Sequence, residues 1–412
     1  MNIRAYELIK QAEKESQQLF SYIDTIAYEN QLKVLNAFRK WKVSVRHFAP
    51  STGYGYDDIG RDTLNRLFAE VFEAESAIVS PSIANGTHAL TIMLFGLLRA
   101  GEKLVFATGE PYDTLKEVVF GKENGSLADY NIHSDIVDLK DGKIDYPSLI
   151  KNISSTKPAA VYLTRSRGYS WRDALSIDEI KTAVDTIKSY SPDTVIIVDN
   201  CYGEFTDIHE PNGVGADLVA GSLIKNPGGG LAPTGGYIAG KSTLIDRIAG
   251  RFTAPSIGLE VGSYYASYIP FYQGLFLAPT VVAAALKGNV LAGRVFHNLG
   301  YEVSPDPDNI PRDIIRSIQF KTEHELIDFC QSIQYASPVD SHVTPYPWDM
   351  PGYQHKVIMA AGTFIQGASI ELSADSPIKT PYVAYMQGGL TYEHCKIAIA
   401  EAIERIISQN KS

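Results

Sequence analysis

Three cysteines in 412 residues, Cys201, Cys330 and Cys395, are too few and too scattered for a disulfide framework, and no CxxC spacing suggests a zinc site. None of the nine histidines stands four residues from another or joins a cysteine cluster, which removes the usual metal-ligand patterns. Basic charge is also in deficit: 37 Lys and Arg against 47 Asp and Glu leave a net charge of -10 with no basic run, so neither nucleic acid nor an anionic membrane is an expected partner. No apolar run approaches the ~20 residues a spanning helix requires. The N-terminal Met1-Asn-Ile-Arg-Ala-Tyr-Glu7 lacks an apolar signal core. A soluble, cytoplasmic protein acting on a small molecule is expected.

With 45% hydrophobic and 20% charged residues and 33 Gly, the composition is that of a globular α/β protein. The spacing of Leu8, Ile9, Ala12, Leu19, Phe20, Ile23, Ile26 and Ala27 predicts an N-terminal helical arm, which with an oligomerisation loop makes up residues 1–60. From 61 to 290 a large domain is expected. Seven short apolar runs there (Ala77–Val79, Leu104–Phe106, Ile136–Val137, Ala159–Leu163, Thr194–Asp199, Leu218–Ala220, Tyr237–Ala239) alternate with helical segments. That rhythm predicts a mostly parallel sheet covered by helices, with ligands at the carboxyl ends of its strands. Residues 291–412 predict a smaller α/β domain, with strand-like runs at Ile314–Phe320 and Val357–Leu372 and a last helix from about Thr391.

Asp199 closes an apolar run, and Lys225 follows in Gly221-Ser-Leu-Ile-Lys-Asn-Pro-Gly-Gly-Gly230. An acid at a strand tip and a lysine between small residues form the pair that pyridoxal phosphate chemistry needs. The carboxylate keeps the ring nitrogen protonated and the amine forms a Schiff base, then serves as general base. Around this pair, Asn85-Gly-Thr87 opens a helix and suits a phosphate, although the same residues suit a plain turn and cap. Ser222 adds a hydroxyl. Tyr112, after the next strand, either stacks on a planar ring or packs at a helix start. Arg165, Arg167 and Arg172 follow the strand ending at Leu163, where a guanidinium can clamp an amino-acid carboxylate.

This order of Gly-Thr loop, tyrosine, strand-end Asp and Ser-x-x-Lys resembles fold type I pyridoxal phosphate enzymes. Gly53-Tyr-Gly-Tyr-Asp-Asp-Ile-Gly-Arg-Asp62, Arg165-Ser-Arg-Gly-Tyr-Ser-Trp-Arg172, Lys225-Asn-Pro-Gly-Gly-Gly230 and Gly362-Thr-Phe-Ile-Gln-Gly-Ala-Ser-Ile-Glu-Leu-Ser373 look like the methionine gamma-lyase-like group, also named cystathionine beta-lyase or aluminium resistance proteins. The resemblance implies β- or γ-elimination on a sulfur-containing amino acid. It also implies a homodimer or homotetramer in which Tyr56 and Arg61 reach the cofactor phosphate of a neighbouring subunit. Lys379 stands where this group is expected to carry an arginine, and lysine lacks the planar fork. Aminotransfer, retro-aldol cleavage or racemisation would use the same constellation, and a catalytically silent scaffold would retain it.

Gly235-Gly-Tyr-Ile-Ala-Gly-Lys-Ser242 also satisfies the pattern GxxxxGK[ST] of a nucleotide-binding loop, with Lys241 as its cation. Tyr237-Ile-Ala239 at its centre reads better as a strand, which makes nucleotide hydrolysis the weaker alternative.

Overall fold

The computed structural model describes residues 3–350 and 355–409. Helices α1 (Ile3–Glu15) and α2 (Gln17–Lys40) bury Ala5, Ile9 and Ala12, and Phe20, Ile23, Ile26, Val34 and Ala37, at helical spacing among charged neighbours. They rest on this chain itself: from α2, Asn30 Nδ2 donates to the Asp207 carbonyl at 2.8 Å and Lys33 Nζ to that of Ile208 at 2.8 Å. Helix α3 (Ile59–Val71) starts at Asp58, whose carboxylate accepts the Arg61 N–H at 2.9 Å.

Strands and helices then alternate: β1 (Ser76–Ser80), α4 (Gly86–Leu97), β2 (Lys103–Phe106), α5 (Asp113–Phe120), β3 (His133–Ile136), the short pair β4 (Leu139–Lys140) and β5 (Lys143–Ile144), α6 (Tyr146–Thr156), β6 (Ala160–Thr164), α7 (Ile177–Tyr190), β7 (Val195–Asp199), β8 (Leu218–Ser222), β9 (Gly236–Gly240) and α8 (Ser242–Phe252). All seven strands expected from the apolar runs join one sheet, in the order β1-β9-β8-β7-β6-β2-β3. Only β9 runs against its neighbours. Its central strands read as unbroken apolar runs because both faces are covered. One face buries Val161, Leu163, Ile196 and Val198, and the other Ala160, Tyr162 and Ile197. Thr164 pairs with Asp199 and Asp199 with Ala220, so the carboxyl ends of β6, β7 and β8 lie side by side.

Helix α9 (Ile269–Asn298) is, against expectation, long and apolar enough to cross a membrane, but 78% of its most apolar window is buried inside the protein. It serves as a core helix, and the domain boundary expected at 290 falls within it. A Cβ on its Gly274 would stand 2.2 Å from the Gly228 carbonyl, so the helix closes directly onto the loop that follows Lys225.

Beyond it, β10 (Glu302–Ser304), β11 (Ile315–Phe320), α10 (Glu323–Ala336), β12 (Val357–Ala360), β13 (Ser373–Pro377), β14 (Tyr382–Gln387) and α11 (Tyr392–Gln409) form a smaller layer. Its antiparallel sheet has the order β10-β11-β14-β13-β12. The expected strand over Val357–Leu372 stops at Ala360. After it the chain curls around Glu371, whose carboxylate accepts the N–H groups of Phe364 at 2.8 Å and Ile365 at 2.9 Å. Ala368, Ile370 and Leu372 are buried at alternate positions there, but no ladder pairs them, since their stretch is spent on the turn around Glu371.

Candidate active site

At the N-terminus of α4, Asn85 Oδ1 accepts the His88 N–H at 2.9 Å, which starts the helix immediately after the turn that leaves β1. A Cβ on Gly86 would come within 3.3 Å of Cys201 Sγ and 3.4 Å of Ser222 Cβ. A larger residue would therefore fill the space between helix end and strand end. The Ser222 hydroxyl beside it is buried and, among the described residues, without a hydrogen-bond partner. Thr87 Oγ1 lies 2.8 Å from the Tyr112 hydroxyl and 3.1 Å from Thr114 Oγ1. Open helix N–H groups, a spare buried hydroxyl and a gap that only glycine leaves suit a phosphate.

Asp199 is only 3% exposed. Tyr162 OH donates to its Oδ2 at 3.2 Å and the Cys201 N–H to Oδ1 at 3.1 Å. Burial raises its pKa, against the Lys225 charge and these hydrogen bonds, so its ionised form awaits a cationic partner. Lys225 Nζ stands 4.1 Å from the centre of the Tyr202 ring. Burial works to lower the lysine pKa, yet the acidic groups facing it (Cys201, Tyr202, Asp199 and Tyr112) outweigh it and push the value well up. Tyr202 has φ 71°, a left-handed conformation costly for a bulky residue and typical of a position the site requires. Cys201, Tyr202 and Tyr162 were not singled out from the sequence. The one signal in the sequence is a polar tip on Tyr162 inside the otherwise apolar run of β6.

The expected carboxylate clamps separate sharply. Arg165 is wholly buried, spending its donors on Asn200 Oδ1 at 2.8 Å, Thr206 Oγ1 at 3.3 Å and the Leu175 carbonyl at 3.4 Å, with Glu210 at 3.8 Å. It braces the strand ends from inside and presents nothing to a ligand, which corrects its expected role. Arg167 is buried, with Nε 3.4 Å from Asp313 and Nη1 donating to Ser304 at 2.9 Å, while its Nη2, 3.9 Å from Asp173, has no hydrogen-bond partner among the described residues. Lys379 is exposed on the turn joining β13 to β14, and no hydrogen bond or ion pair joins it to a described residue of the site. Arg172 alone is half-buried and has no carboxylate within 4 Å among the described residues. It donates to the carbonyls of Asp173, Thr164 and Ser166 and, with Arg167, lines a cavity of about 1280 Å³ whose wall includes none of Lys225, Asp199, Ser222 or Tyr112. Desolvation lowers its pKa to about 10.

Tyr56 is 64% exposed and tilts against the Tyr54 ring. Arg61 is buried, donating to the carbonyls of Gly55 at 2.9 Å and Gly262 at 3.3 Å. It also lines a cavity of about 220 Å³ with Ser80, Ser82 and His88, behind the start of α4. Tyr268 and Tyr272 anchor this region through Asp58 and the Gly60 carbonyl.

The nucleotide-loop reading fails on the fold. Gly236–Gly240 is the fully buried strand β9, and Lys241 Nζ is held by Asp217 at 2.6 Å. No open loop remains to wrap a phosphate. Among the described residues no cluster of three metal-ligating side chains exists.

The start of α4 with Gly86 and Thr87, the buried Ser222, the strand-tip Asp199 and Lys225 gather at the carboxyl ends of a seven-stranded sheet, and the fold is that of pyridoxal phosphate enzymes of fold type I. Solved structures of the same fold include cystathionine gamma synthase of Xanthomonas oryzae, at 15% identity and TM-score 0.59 over 88% of this chain and 93% of that one. The methionine gamma-lyase family model matches residues 5–407, and the chain belongs to that family. It is thus an enzyme of the pyridoxal-phosphate-dependent carbon-sulfur lyase class. An uncharacterized protein of Bacillus subtilis, YnbB, is 52% identical over 391 residues, covering 94% of this chain and 93% of its own length. The crystal structure of a carbon-sulfur lyase involved in aluminum resistance from Clostridium novyi superposes with TM-score 0.95 at 49% identity, over 98% of this chain and 96% of that one.

Proposed function

We propose that this protein cleaves the carbon-sulfur bond of a sulfur-containing amino acid by β- or γ-elimination, with the cofactor attached to Lys225. The observation that carries the reading is the convergence on one point of the unpartnered Ser222 hydroxyl, the gap at Gly86, the Asp199 carboxylate and the Lys225 amine. When bound, the cofactor supplies an electron sink for the substrate α-carbon. Gly86, Thr87 and Ser222 hold its phosphate, Tyr112 covers its ring, and Asp199 pairs with the ring nitrogen. Freed by the incoming amino group, Lys225 Nζ takes the proton from Cα and returns one to the departing sulfur. Thiol leaves, and water releases the remaining enamine as oxo acid and ammonia. Arg172 receives the substrate carboxylate: its Nη2 bonds the carbonyl of Thr164, the register partner of Asp199. The working unit on this reading is a homo-oligomer in which Tyr56 and Arg61 complete a neighbour's phosphate site; the exposure of Tyr56 supports it, while Arg61 is buried in its own chain and paired with Asp62 at 2.8 Å.

Purified protein should be yellow, and borohydride should fix the cofactor on the peptide containing Lys225. Thiol and oxo-acid release from cysteine, cystathionine, homocysteine and methionine identifies the substrate. A protein that takes up no pyridoxal phosphate, or releases neither product from any of the four, would sink the reading.

A further inference from the structure

Glu204 has no place in the chemistry above, yet it is completely buried beside it. Its Oε1 accepts the Tyr237 hydroxyl at 3.0 Å, while Oε2 has no partner among the described residues. Its backbone carbonyl accepts Asn226 Nδ2 at 2.9 Å, and Asn226 is the residue after Lys225. A Cβ on Gly221 would stand 2.5 Å from Glu204 Oε1 and 2.6 Å from the Tyr237 ring, so this side chain packs directly on the strand end that carries Ser222. Both ends of the Gly221–Asn226 segment are therefore seated on one residue. Tyr202 and Phe205, on either side of it, take left-handed φ values of 71° and 62°, the backbone cost of turning Glu204 inward.

Charge counting fixes its state. Asn200 Nδ2 donates to Glu210 Oε2 at 2.9 Å and lies 3.4 Å from the Tyr237 hydroxyl, linking Glu204 to a second buried carboxyl. One guanidinium, Arg165, serves the network, and it stands nearest Glu210, at 3.8 Å. Lys33 also acts on Glu210, and Lys225 acts on Glu204 but is shared with Asp199, so Glu204 has no cation of its own and its sealed carboxyl stays ionised only at high cost. We infer that Glu204 is a positioning residue whose neutral carboxyl seats the Gly221–Asn226 segment, and with it Ser222 and Lys225, against the Asp199 strand end.

Desolvation, reinforced by Glu210, pushes Glu204 up to about 8, while Lys225 and the Tyr237 hydrogen bond pull the other way. Cys201 and, through Glu210, Lys33 are the other charged or titrating groups that face this network. As the pH passes that value the carboxylate must find solvation and the segment loosens. The inference rests on the proposed cofactor site, but its first test does not. Infrared spectra of the protein, with and without cofactor, should show a neutral carboxyl C=O stretch at pH 6.5 that fades above about pH 8 and is missing in Glu204→Gln. The second test is pyridoxal phosphate affinity. The wild type should lose about tenfold relative to Glu204→Gln between pH 7 and pH 9, since one unit beyond the pKa leaves a tenth of the carboxyls protonated. Lys225 and Cys201 titrate in both proteins and cancel in that ratio. Tyr237→Phe, which removes only the hydroxyl, should shift the infrared band and serves if Glu204→Gln does not fold. A band unaffected by both variants, or a pH-independent affinity ratio, overturns the inference. A neutral-carboxyl band in a protein that never binds the cofactor would instead leave Glu204 as inferred and overturn the lyase reading.

Discussion

The Lys225 ammonium rests 4.1 Å from the centre of the Tyr202 ring, on a backbone held at a left-handed φ of 71°. A cation over an aromatic face gains about 0.5–2 kcal/mol, more as water is excluded. Tyr202→Phe keeps the face and should bind cofactor as the wild type does. Tyr202→Ala removes that stabilisation from the cofactor-free ammonium, which must be given up to form the Schiff base, and should strengthen uptake about 2- to 30-fold, read by titrating the yellow absorbance. Equal behaviour of the two variants would show that the ring does not hold the lysine.

Ser222→Ala should act in opposite directions on the empty and loaded protein. Its hydroxyl is buried and unpartnered, so removing it should leave the thermal midpoint of the cofactor-free protein unchanged or higher. A hydrogen bond to a charged phosphate is worth about 1.5–3 kcal/mol, so affinity for pyridoxal phosphate should fall about 10- to 150-fold. Gly86→Ala should reduce affinity as well, because its methyl would stand 3.3 Å from Cys201 Sγ inside the cradle.

The two outer arginines of the 165–172 stretch should fail differently. Arg165→Ala strips a sealed network of its only guanidinium and should cost about 3–5 kcal/mol of stability in denaturant unfolding. Arg172→Gln should fold normally and raise KM more than it lowers kcat, by about one to two orders of magnitude for a lost charged hydrogen bond. Unchanged KM would remove Arg172 as the carboxylate clamp.

Lys241→Ala should cost about 1 kcal/mol, since the lysine is half-exposed and its buried partner Asp217 retains Lys188 at 2.9 Å. Cofactor colour should be untouched. Loss of colour would tie this lysine to the site after all.

A shared active site has its own signature. Arg61→Ala and Lys225→Ala, each inactive alone, should regain activity when co-expressed, because a mixed dimer keeps one intact site. Absence of recovery in a verified mixed oligomer would confine Arg61 to its own subunit, where it already bonds Gly55 and Gly262.

Much of this architecture was legible in the residues themselves. Each central strand is an apolar run buried on both faces, and several turns into helices carry a side-chain cap such as Asn85 or Asp58, so period and punctuation betray the sheet and its carboxyl edge. Asp199 and Lys225 were visible because a charge at the end of an apolar run, or amid glycines, has few structural uses. The chain alone could not rank its cations. Arg165 and Arg172 look alike in a string, and only packing shows that one is sealed against Asn200 and Glu210 while the other keeps a free charge beside Thr164. It equally could not show that Lys241 caps a buried strand or that Glu204 lies under the lysine loop. Local pattern determines which segments are strands, helices and turns, since those depend on neighbours a few residues away. Burial and charge compensation join residues tens of positions apart, and the tertiary structure alone decides them.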